Sequence, residues 1–145
     1  MTVVYRLRQN KRFIEAVQKA TLTTDAFGIE PTHGLFGSDE WWGQITSGDL
    51  PIHTLSGHIT KVYMGSMGDW PEFAMKSDDE KSQWTRKVNA KEQDALYRVG
   101  NRVELDYVIQ RYRSASYSAS FDRGSEAKCV VEIRILDSMS EVNVN

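Results

Sequence analysis

Between residues 52 and 136 apolar side chains recur at every second position, in short runs separated by turn-forming residues. Phe73 and Met75 alternate with Glu72, Ala74 and Lys76. Val103, Leu105, Tyr107 and Ile109 form one long run, and Val131, Ile133 and Ile135 alternate with Glu132 and Arg134. A period of two is that of a strand with one face in a core and the other in water. Runs this short, joined by turns, point to an antiparallel sheet.

The turns fix the strand order. Gly57-His58-Ile59-Thr60-Lys61-Val62-Tyr63-Met64 reads as a first strand whose apolar phase slips between Ile59 and Val62, the mark of a bulge or strong bend that Gly57 permits. Gly65-Ser66-Met67-Gly68-Asp69 turns the chain into the strand of Phe73 and Met75. Ser77-Asp78-Asp79-Glu80-Lys81 then turns it into Ser82-Gln83-Trp84-Thr85-Arg86. Residues 90–97 favour a short helix by propensity, and a bend at 99–102 leads into the long strand. A serine-rich loop follows and leads to the last strand.

Two helices precede this region. Phe13, Ile14, Val17 and Ala20 make one stripe over 10–22, with Asn10 as its cap, and Val3, Tyr5 and Leu7 before it suit a short half-buried strand. Residues 23–37 are broken by Gly and Pro and read as a loop. The second helix starts at Ser38, with Asp39 and Glu40 in its first turn, and stops at Gly48 before Pro51. Adjacent helical residues diverge by about 100°, so of Trp41 and Trp42 one is expected in the core and one at its periphery.

Three meandering strands, a short helix and two further strands, with a bend early in the first, resemble the oligonucleotide/oligosaccharide-binding (OB) superfold. The phrases G-H-I-T-K-V, F-A-M-K-S-D-D and V-G-N-R-V-E-L match its first, second and fourth strands at the level of pattern. The resemblance implies a mainly β chain with added helices (α+β). The small five-stranded antiparallel barrel would span 55–136; the residues outside that pattern read as an N-terminal helical layer over 1–54 and a flexible tail over 137–145. It also implies a ligand face on the second and third strands and the loops beside them. There Trp70 lies in the first loop, residues 65–71, Trp84 and Arg86 share a face of the third strand, and Arg111, Arg113 and Tyr117 lie in or beside the second loop. Stacking aromatics and arginines are the ingredients of single-stranded nucleic-acid binding.

Charge argues the other way. The 145 residues carry a formal net charge of −2, and a strong phosphate binder needs a basic footprint. The charge is also segregated. Residues 1–23 hold five bases against one acid, and residues 24–56 hold five acids and no Lys or Arg. A basic arm beside an acidic segment could be a partner site, but such stretches more often pack together or simply face water.

Catalytic constellations are weak. His33, His53 and His58 lack metal-site spacing, and Cys129, the one cysteine, has no CxxC partner or nucleophile signature. Asp78-Asp79-Glu80 lacks the alternating ligands of a calcium loop. Asp69 and Glu72 could pair for acid/base work, but nothing completes such a mechanism. Neither a P-loop nor a dinucleotide-binding glycine pattern is present. No apolar run reaches the roughly 18 residues of a membrane span, and no signal segment is visible. The expectation is a single-domain cytoplasmic binding module without catalytic residues, metal or cofactor. Its ligand is left open between single-stranded nucleic acid and another protein, with Trp70, Trp84, Arg86, Arg111, Arg113 and Tyr117 as the candidate contact surface. The alternatives are a protein–protein assembly or regulatory role through Trp41, Trp42 and the basic arm, and then a small hydrolase.

Overall fold

A computed structural model describes residues 1–113 and 126–137. The described strands are β1 (Thr2–Arg6), β2 (His53–Gly65), β3 (Trp70–Ser77), β4 (Glu80–Thr85), β5 (Arg102–Arg111) and β6 (Glu126–Leu136). The α-helices are α1 (Lys11–Thr23) and α2 (Asp39–Ser47). The strands form one antiparallel sheet in the order β1-β6-β5-β2-β3-β4. The α+β class and the meander of β2, β3 and β4 stand as the sequence indicates.

Barrel closure is corrected. The sheet is not closed and has six strands, because residues 2–6 do not stay in a helical layer. They pair with β6 from Thr2↔Ile135 to Arg6↔Glu132, so β1 forms one end of a linear order and β4 the other.

The residues fall into two compact units. The first comprises Met1–Arg6, Thr54–Asp106 and the described residues from Val131. Its core contains Val4, Tyr5, Ile59, Phe73, Met75, Val103, Leu105, Ile133 and Ile135. The phase slip read in the first strand is present: the β2–β3 register shifts between Ile59 and Lys61. The bend also needs Gly57, whose Cβ would lie 2.2 Å from the carbonyl oxygen of Lys76. The β3–β4 turn falls on Asp78 and Asp79, with Asp78 at φ 54°. The propensity of 90–97 becomes a 3-10 helix, Lys91–Leu96.

On the opposite face of the same strands, partly covered, Arg134 gathers three carboxylates. It bonds Glu104 at 3.1 Å, Asp106 at 2.8 and 3.0 Å, and Glu132 at 2.6 Å. Asp106 also accepts the Thr54 hydroxyl at 2.7 Å. The Arg134 guanidinium holds the Asp106 carboxyl below its ordinary range, against the opposing effect of burial. Arg6 adds a second cation to Glu132 at 3.2 Å.

The second unit comprises Leu7–His53 and the described residues of Tyr107–Val130. The Asn10 side chain caps α1 by accepting Phe13 N–H. Its buried positions are Ile14 and Thr21, whereas Phe13 stays exposed and meets the Phe36 ring edge-on. Thr21 is buried because its hydroxyl serves the following loop, donating to Val17 O at 2.8 Å and accepting Ile29 N–H at 3.2 Å. Ser38 caps α2 and Gly48 ends it at φ 88°, as read.

Candidate functional site

The alternation that makes β2 and β3 also decides what their shared end presents. Beyond the bulge, Val62 pairs with Phe73, Tyr63 with Glu72, Met64 with Pro71 and Gly65 with Trp70. The turn between them, Ser66–Gly68, holds Met67 at φ 62° and ψ 29° and Gly68 at φ 88°. Two left-handed residues in a row make the reversal tight, and Met lacks the ease of glycine there. Four large apolar side chains are open to solvent: Met67 completely (101%), Trp70 at 50%, Met64 at 49% and Val62 at 38%. Trp70 satisfies its indole N–H on Thr85 Oγ1 at 3.0 Å, so its exposed ring has a fixed orientation.

Arg86 secures this end from within. Its Nη1 donates to the carbonyl oxygens of Tyr63 at 2.7 Å and Glu72 at 2.6 Å, one from each strand of the pair. Its Nε meets Asp94 at 3.3 Å and its Nη2 meets Met64 Sδ at 3.7 Å, and the side chain is nearly buried. A guanidinium occupied in this way is a clamp on the hairpin. Trp84 is likewise internal: it lies opposite Phe73, is buried, and donates to Ser82 Oγ at 2.8 Å. Phe73 in turn packs on Tyr97, ring centroids 5.0 Å apart. Burial pushes the Tyr97 phenol's pKa up, and its hydroxyl donates to Lys87 O at 2.7 Å. Trp70, Trp84 and Arg86 therefore gather in one region of the first unit, with Trp70 alone of the three exposed there.

The match to known proteins bears on what meets this surface. A family model described as "Immunity protein RhsI2" covers residues 1–136. The chain belongs to this immunity protein family. No curated protein matches it. The family match spans the N-terminal helices and the β-rich region alike, where the OB resemblance covered only residues 55–136. Membership in a family of immunity proteins favours the protein-interaction alternative over the nucleic-acid reading.

The remaining expected residues lie in the second unit or outside the described chain. Trp41 is fully buried, donates its indole N–H to Gln110 Oε1 at 2.8 Å and packs on Phe36 at 4.8 Å. Trp42 is half-buried beneath the Arg8 guanidinium, 4.0 Å from its ring, so one tryptophan is core and one peripheral, as expected. Arg111 is exposed, and its carbonyl accepts Glu30 N–H at 2.9 Å. Arg113 donates from Nη1 to Thr21 O and from its backbone to Gly28 O. Tyr117 lies outside the described residues. His53 stacks on Tyr107 with centroids 5.4 Å apart, and His33 shares a 2.9 Å hydrogen bond with Thr32. Among the described residues, no group of three or more His, Cys, Asp and Glu is placed to hold a metal ion, and no helix is long and apolar enough to cross a membrane.

Sequence reasoning singled out Trp70 and the loop from 65 to 71 but passed over Met64, Met67 and Val62 as contact residues. The available signal was Met67-Gly68: a large flexible apolar residue at the tip of a tight turn, where a polar residue or glycine is usual.

Proposed function

We propose that the protein binds and neutralises a cognate toxin, and that Trp70 at the end of the β2–β3 hairpin is the central anchor of that contact. Membership in the immunity protein family supports a protein partner. The observation that carries the choice of surface is the half-exposed Trp70 ring, fixed by its bond to Thr85 beside the exposed Met67. Tryptophan is among the commonest energetic anchors of protein interfaces, and a pre-oriented side chain loses little entropy on binding. In this reading Arg86 and Trp84 support the surface from inside. The nucleic-acid reading keeps less support, since Arg86 is spent on two carbonyls and Asp94 and the net charge is −2.

Growth rescue on co-expression identifies the toxin, and titration of the purified pair measures its affinity. Trp70→Ala should weaken binding by about 2 kcal/mol or more, roughly thirtyfold, at unchanged fold. A wild-type affinity for Trp70→Ala would remove this surface from the interface. Tight binding of single-stranded oligonucleotides at low salt, where the phosphate contribution is greatest, would restore the nucleic-acid reading.

A further inference from the structure

We propose that the β2–β3 hairpin end inserts into an apolar cleft of the toxin and buries both of its faces there. This deepens the toxin-binding reading and rests on it. Directly opposed residues of an antiparallel pair point to the same side, and successive residues to opposite sides. Met64 and Pro71 therefore share one face, joined by Val62, and Gly65 and Trp70 share the other. Both faces carry a large exposed apolar side chain, 49% open at Met64 and 50% at Trp70, and Met67 stands fully open at the turn between them. A flat partner surface can cover only one face. A cleft covers both.

The exposed fractions of these four side chains correspond to on the order of 450 Å² of apolar-rich surface. That is patch-sized by the standard of functional surfaces and about half of one side of an ordinary heteromeric interface. It falls well short of an obligate dimer's needs, and the immunity-protein family match points to a different protein as the occupant. Two further details fit insertion. The Arg86 clamp on Tyr63 O and Glu72 O makes the end a preformed element. Met67 sits in a left-handed conformation that glycine adopts more readily, while its fully exposed side chain buries nothing in this chain. Flexible, polarizable Met suits an irregular apolar pocket.

The test is hydroxyl-radical footprinting of the full chain, alone and in complex with the toxin polypeptide that growth rescue identifies. Methionine thioethers oxidise readily and report their own exposure, and Trp70 is read in the same experiment. Insertion requires that Met64, Met67 and Trp70 all become protected in the complex. Protection of Met64 or Trp70 alone means docking on a flat surface; it overturns insertion and leaves toxin binding standing. Protection of none of them overturns it too, and so does the same protection in the concentrated chain by itself, which would make a second copy the occupant. If no complex forms, the toxin-binding reading fails and this one with it. A variant gives an independent check. Met67→Gly removes the left-handed strain, so its Tm should equal or exceed the parent's while its affinity for the toxin falls at least tenfold. Unchanged affinity would overturn the proposal.

Discussion

At the scale of single residues, Arg86 shows how a side chain chosen for one chemistry can serve another. Its sequence setting, two residues from Trp84 and so on the same face of a strand, is that of an arginine beside a stacking aromatic. In the fold its guanidinium answers two backbone carbonyls that belong to a cross-strand pair. Removing it leaves those acceptors beneath the hairpin without their charged donor, a loss larger than that of an ordinary hydrogen bond. Arg86→Ala should lower the unfolding free energy by about 2–3 kcal/mol, read as a reduced urea midpoint at constant m-value. Arg86→Lys should recover part of this, because one ammonium can donate to both carbonyls, as Nη1 does, but cannot also keep the Nε contact to Asp94. Trp41 and Gln110 give the same lesson: a buried indole N–H required an acceptor, and the buried Gln110 supplies it.

At the scale of elements, hydrophobic period and turn chemistry made most of the architecture legible. Ser38 and Gly48 bound α2, the acidic turn at 78–79 joins β3 to β4, and the slip after Ile59 is a real register shift. Gly57→Ala would drive a methyl group against the Lys76 carbonyl. It should cost about 2 kcal/mol or more, seen as a drop in Tm, whereas Gly43→Ala, with open space at its Cβ, should be neutral or stabilising. What stayed hidden has a common cause. In β5 the run Val103, Leu105, Tyr107, Ile109 reads as one uninterrupted face, yet Val108 and Gln110 are the buried pair after Leu105. Three consecutive apolar residues, Tyr107, Val108 and Ile109, satisfy either phase, so the pattern cannot report the change. The same holds for Val130 and Val131 in β6, where Val130 is the buried one. The candidate surface was only half readable: Trp70 is conspicuous in the sequence, but the exposure of Met64 and Val62 follows from where the core stops, and alternation does not mark that.

At the scale of the whole molecule, the ionic cluster around Arg134 ties stability to pH. Asp106 titrates below its unfolded value of 3.8 because Arg134 stabilises its charged form. A depressed carboxylate contributes stability that is fully present above the unfolded value and is lost as pH falls through the folded one. The protein should therefore lose stability from about pH 4 downward. Asp106→Asn should be less stable at neutral pH and show a shallower decline over the acid range, measurable by urea titration at stepped pH. Equal slopes for the two proteins would assign the acid sensitivity to other carboxylates.

The placement of β1 carries a temporal implication. Thr2 aligns with Ile135, and Asn89 clasps the other side of the same strand. Its side chain bonds both Arg6 N–H and Arg6 O, and its backbone N–H bonds Val4 O. Residues 2–6 must therefore wait for those near position 135 before they can settle. Contacts of such long sequence separation slow folding, because loop closure precedes the contacts that compensate for it. A nascent chain halted before β6 would hold β1 without its strand partner. The first unit can therefore be completed only after nearly the whole described chain has been made.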